Sequence, residues 1–103
     1  MRTVRSPYPP CVTEALARFA AGLKEYRARR RLTVAWVADR AAISRSTLYK
    51  VERGDPGVGM GIYAAVLESY GLLPELEALV DRRWDRVGLA SEAARLPRRI
   101  RRP

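Results

Sequence analysis

The chain has 103 residues, 48% of them hydrophobic, which suits one domain with a single modest core. Its 20 lysines and arginines against 11 acids, with no histidine, give a net charge of +9 and favour a polyanionic partner, either nucleic acid or an anionic membrane surface. One cysteine without any histidine excludes an internal disulfide and a zinc site, and no apolar run reaches the roughly 18 to 20 residues of a bilayer span.

The opening stretch "MRTVRSPYPP" has three prolines and no apolar periodicity, so residues 1–11 read as a flexible, extended arm. It also lacks the apolar region of a signal peptide, and a cytoplasmic location is expected. A domain over residues 12–88 follows. Thr13 is placed to cap helix one, whose apolar positions Leu16, Phe19, Ala20, Leu23 and Tyr26 recur at helical spacing before the basic run "RARRR". Thr33 caps helix two, with Val34, Val37, Ala38 and Ala41 on one side. Ser44 caps helix three. There Leu48 and Val51 point one way, while Arg45, Ser46, Tyr49, Lys50 and Arg53 share an arc of about 140° on the other.

The turn-rich "RGDPGVG" ends that helix. Helix four runs from Met60 to Tyr70 on the stripe Met60, Tyr63, Val66, Leu67 and Tyr70, and Gly71 closes it. Pro74 opens helix five, with Glu75 and Glu77 at its N-terminal end and Leu76, Leu79, Val80, Trp84 and Val87 as a stripe up to Gly88. Residues 89–103 read as an arginine-rich tail. Its last nine positions hold Arg95, Arg98, Arg99, Arg101 and Arg102 and no acid, so residues 1–94 carry only +4. No segment alternates with the period of a strand, and the expected fold class is all-α.

Helix two, a short turn and an exposed polar helix three make a helix-turn-helix, whose second helix enters the DNA major groove. From Leu23 to Leu73 the chain resembles the lambda-repressor-like, or XRE, helix-turn-helix family. The resemblance is carried by "LT" at Leu32 and Thr33, "VADRAAIS", "STLYKVERG" and the helix ending in "SYGL". Within that family, "ERGDPGVGMGIYAAVLESYGL" and the ending "RLPRRIRR" look like HipB-like antitoxins and regulators partnered with HipA-type kinases.

The resemblance implies a five-helix domain in which Arg45, Ser46, Tyr49 and Lys50 read bases, while Thr33, Thr47 and Arg53 meet the DNA backbone. Side-chain chemistry agrees. Arginine offers a fork to guanine O6 and N7, lysine a mobile donor, serine a short contact and tyrosine a ring for a thymine methyl. Two positions depart from the family. Val34 stands where a phosphate-binding glutamine is common, leaving a backbone N–H to serve, and Ala42 stands where the turn commonly has glycine.

Several residues admit two readings from the sequence. Trp36 either anchors an interface or covers a gap beside helix one, with core packing preferred, and Tyr63 and Tyr70 read as core. Glu52 reads as a structural charge, because the sequence supplies no nucleophile, histidine or metal cluster for a reaction; neither an enzyme nor a cofactor is expected. The leading function is a sequence-specific repressor of double-stranded DNA, a homodimer on an operator with two half-sites, serving as antitoxin and autoregulator beside a HipA-like kinase toxin. The alternatives are an antitoxin whose main task is protein binding, or a stand-alone phage-type repressor. RNA and membrane binding rank behind them. Leu76, Val80, Trp84 and Val87 are the expected dimer surface. Arg98, Arg99, Arg101 and Arg102 are ranked first as DNA-backbone contacts, ahead of docking on a kinase or a solubilising end.

Overall fold

A computed structural model describes residues 7–81 and 85–94. They form α1 (Pro10–Arg29), α2 (Val34–Ala41), α3 (Arg45–Val51), α4 (Met60–Ser69), α5 (Leu73–Ala78) and α6 (Arg86–Ala94), with no strand among the described residues. The chain divides into two compact units, residues 1–73 and 74–103.

Helix α1 starts earlier than its sequence suggests. Pro9 precedes it in an extended conformation and Pro10 occupies the first turn, where a missing N–H leaves nothing unsatisfied. The expected arm therefore gives up Pro10 and Cys11 to the helix, and Thr13 is not its cap. The Thr13 hydroxyl instead donates to the Pro10 carbonyl at 3.0 Å. Both later caps stand as expected: Thr33 accepts from the Trp36 N–H at 3.0 Å and Ser44 from the Thr47 N–H at 3.1 Å.

At 8 and 7 residues, α2 and α3 are too short to persist alone, so packing must hold them. Helix α2 packs on both α3 and α4, and α3 packs on α4. The core is Ala20 and Leu23 of α1, Val37, Ala38 and Ala41 of α2, Leu48 and Val51 of α3, and Tyr63, Val66, Leu67 and Tyr70 at and beside α4. Burying each of Leu48, Val37, Val51 and Val66 contributes about 1.5 to 3 kcal/mol. Of the expected stripe members in the first four helices, Leu16, Tyr26 and Val34 are only half-buried, Met60 is exposed, and Phe19 is exposed with its ring 6.3 Å from that of Tyr63. Burial pushes the Tyr70 phenol up to about 12, and its buried hydroxyl has no hydrogen-bond partner among the described residues.

The ends of α1 to α4 share one device. At each, two N–H groups reach back in a Schellman pattern: Leu32 to Arg27 and Arg31 to Ala28, Ile43 to Ala38 and Ala42 to Asp39, Asp55 to Lys50 and Gly54 to Val51, Leu72 to Leu67 and Gly71 to Glu68. The pattern needs one left-handed residue. Gly54 (φ 73°) and Gly71 (φ 76°) supply it without strain, whereas Arg31 (φ 57°) and Ala42 (φ 59°) adopt it against the preference of a Cβ. At Gly54 there is a second constraint, since a Cβ would lie 2.6 Å from the Leu16 carbonyl oxygen of α1.

In the second unit the single helix expected from Pro74 to Val87 is two helices. Helix α5 stops at Ala78, and Leu79, Val80 and Asp81 donate to the residues three before them, a tightening that ends a helix. Asp85 then caps α6 by accepting from the Gly88 N–H at 2.8 Å. Residues 89–94 accordingly continue a helix and are not tail. None of the described residues of this unit is buried.

Candidate nucleic-acid interface

Three residues, Ala42, Ile43 and Ser44, link α2 to α3 and turn the chain by the Schellman closure of one helix and the serine cap of the next. Leu48 and Val51 anchor α3 from beneath. Their burial orients the opposite face outward, and Arg45, Ser46, Tyr49, Lys50 and Arg53 are all exposed, Tyr49 by 50%. Arg53 lies past the end of α3, but its N–H donates to the Lys50 carbonyl at 3.1 Å, so the chain keeps winding through it.

The Ser44 hydroxyl also donates to Thr47 Oγ1 at 2.9 Å and lies 3.1 Å from Ser46 Oγ. These hydroxyls gather at the first turn of α3, where Thr47 is half-buried. Thr33 is exposed at the start of α2. Val34 beside it is half-buried and offers only its backbone N–H, which has no partner within an α-helix's first turn.

A part-buried ion pair ties the end of α3 to α1. Arg27 donates from Nε to Glu52 Oε2 at 2.7 Å and from Nη2 to Glu52 Oε1 at 3.2 Å, while its Nη1 donates to the Leu32 carbonyl at 3.1 Å. The Glu52 side chain is only 4% exposed. The hydrogen bond to Glu52, opposed by desolvation, raises the Arg27 pKa above its already high ordinary value, and the Tyr70 and Tyr49 hydroxyls add smaller contributions. Glu52 is thus a structural charge. One planar guanidinium joins the end of α1, the α1–α2 corner and the end of α3.

Trp36 overturns its preferred reading. It is 44% exposed, roughly opposite the buried stripe of α2, with the Arg40 guanidinium 6.0 Å from its ring centroid and Arg40 in turn 3.4 Å from Glu68. The 3.6-residue period turns Trp36 away from the buried Val37, Ala38 and Ala41, and the packing of α2 leaves that side to solvent.

The proposed dimer residues do not lie on one helix. Leu76 is half-buried in α5, Val80 follows that helix and is 87% exposed, and Val87 in α6 is 82% exposed. Trp84, Arg98, Arg99, Arg101 and Arg102 lie outside the described residues. Among the described residues no cluster of histidine, cysteine or acids could hold a metal ion, and no helix is long and apolar enough to cross a membrane.

A family model described as a helix-turn-helix domain matches residues 18–80, which is more than half of the chain and contains both α2 and α3. No curated protein and no solved structure matches the chain.

Proposed function

The chain belongs to the helix-turn-helix domain family, and from that premise we propose that it is a sequence-specific, DNA-binding transcriptional repressor of the lambda-repressor-like (XRE) group. The observation that carries this reading is α3 itself. A helix fixed by buried Leu48 and Val51 and capped by Ser44 presents an exposed polar arc with no acid among Arg45, Ser46, Tyr49 and Lys50. Such a helix suits the major groove, where arginine and lysine discriminate guanine and the tyrosine ring meets a thymine methyl. In this reading Arg45, Ser46, Tyr49 and Lys50 read bases, and Thr33, Thr47 and Arg53 hold phosphates.

A gel shift on the DNA upstream of its own gene is the direct test. Arg45→Ala is expected to cost about 1 to 3 kcal/mol on the cognate site and much less on random DNA. Equal losses on both would remove Arg45 from base reading.

A second reading has its own support. The exposed Trp36, with Arg40 at its ring, is the kind of pair that anchors protein interfaces. Together with the "ERGDPGVG" stretch and the arginine-rich ending, this favours an antitoxin of the HipB-like kind that also binds a HipA-type kinase. Co-expression with the product of the adjacent reading frame separates that role from a stand-alone repressor.

A further inference from the structure

The basic run "RARRR" at the end of α1 suits the negative end of a helix, yet the fold uses its members very differently. Arg27 is committed to Glu52 and the Leu32 carbonyl. Arg29 pairs with Glu25 one turn back at 3.7 Å. Arg30 lies over the Tyr26 ring, 4.5 Å from its centroid, and donates to the Tyr26 hydroxyl. Arg31 is the member with no side-chain partner among the described residues, and it is exposed.

Arg31 also occupies the left-handed position at which two of the other three helix ends have glycine. The structure needs no side chain there, and a Cβ disfavours this conformation. What the position supplies is a location. Leu32, the next residue, gives its carbonyl to the same guanidinium that grips Glu52, and the residue after Glu52 is Arg53. Arg31 and Arg53 therefore flank one hydrogen-bonded hub, and Thr33 follows two residues after Arg31. The hub is neutral, because Arg27 and Glu52 cancel. Neither flanking arginine has an acid within ion-pair distance among the described residues. Two cations thus adjoin, in the chain, a part-buried pair that carries no net charge.

We infer that Arg31 is a further contact to the DNA backbone, and that with Thr33 and Arg53 it forms a phosphate-binding rim at the α1–α2 corner. This rests on the DNA-binding reading above. The rim extends the protein's hold from the edge of the base-reading helix to the flanking strand and carries no sequence information of its own.

The test is a salt titration of the full chain on a random-sequence duplex, with wild type, Arg31→Gly, Arg31→Lys and Arg18→Gln. Each phosphate that the protein ceases to neutralise takes about 0.9 from the slope of log affinity against log salt. Arg31→Gly should show that flattening while keeping or raising the melting temperature, since glycine suits the left-handed backbone. Arg31→Lys should restore most of the slope. Arg18, exposed about 180° around α1 from Arg27, is the control and should leave the slope unchanged. Failure of the wild type to bind duplex DNA overturns the DNA-binding reading and this inference with it. Wild-type binding with an unaltered slope in Arg31→Gly overturns this inference alone. An equal flattening in Arg18→Gln also overturns it, by showing that only net charge matters.

Discussion

At Ala42 the backbone holds φ 59° and ψ 43° because the Schellman closure of α2 demands a left-handed residue there. Alanine tolerates this at a cost on the order of 1 kcal/mol, and the position is exposed, so glycine would meet no void or clash. Ala42→Gly is therefore expected to stabilise the protein by roughly 0.5 to 1 kcal/mol, read as a higher urea midpoint at unchanged slope. A lower midpoint would mean that glycine's extra freedom in the unfolded chain outweighs the relief of strain. The glycine missing from the turn is visible in the sequence. That Ala42 keeps the left-handed conformation is not, since a slightly different turn is equally open until the closing hydrogen bonds are known. Arg31 has no such flag, because nothing local distinguishes a left-handed arginine from the helical arginines before it.

Helices α2, α3 and α4 are legible as elements because each has a clear beginning or end: Thr33 and Ser44 cap the first two, and Gly71 closes the third. The expected helix five is not a single element. Leu76, Val80 and Val87 keep an acceptable helical spacing across the break, which conceals Asp85 as the cap of a new helix. How the elements are tied together depends on a pair that sequence distance hides. Arg27 and Glu52 are 25 residues apart and join α1 to the end of α3. Glu52→Gln should leave a partly buried guanidinium without its counter-charge and lower stability by about 3 kcal/mol. In a double-mutant cycle with Arg27→Met, the second change should cost much less than it does alone. Additive losses would show that the two side chains contribute separately and not as a pair.

For the whole molecule, the described residues of 74–103 include no buried one, and Val80 and Val87 stand open to solvent. Short helices without a buried face gain stability from a partner surface, and a repressor gains affinity by presenting two recognition helices to two half-sites. We accordingly propose that the protein is a homodimer joined through this unit. Light scattering should give twice the chain mass at micromolar concentration, and a Val80→Arg, Val87→Arg double variant should give one chain mass with weakened operator binding. A wild-type protein that stays monomeric both free and on its operator would end that proposal.

The sequence by itself determined the helical class, the α2–α3 pair and the outward arc of Arg45, Ser46, Tyr49 and Lys50, because caps, turns and a 3.6-residue period are local properties. Tertiary structure alone decided what depends on distant partners. It set the pairing of Arg27 with Glu52, the use of Gly54 to let the end of α3 approach the α1 backbone, and the separate fates of the four arginines in "RARRR". It also decided that Trp36 faces solvent. Periodicity gives the direction of a side chain around its own helix, but whether that direction meets another helix or water is settled only when the helices pack.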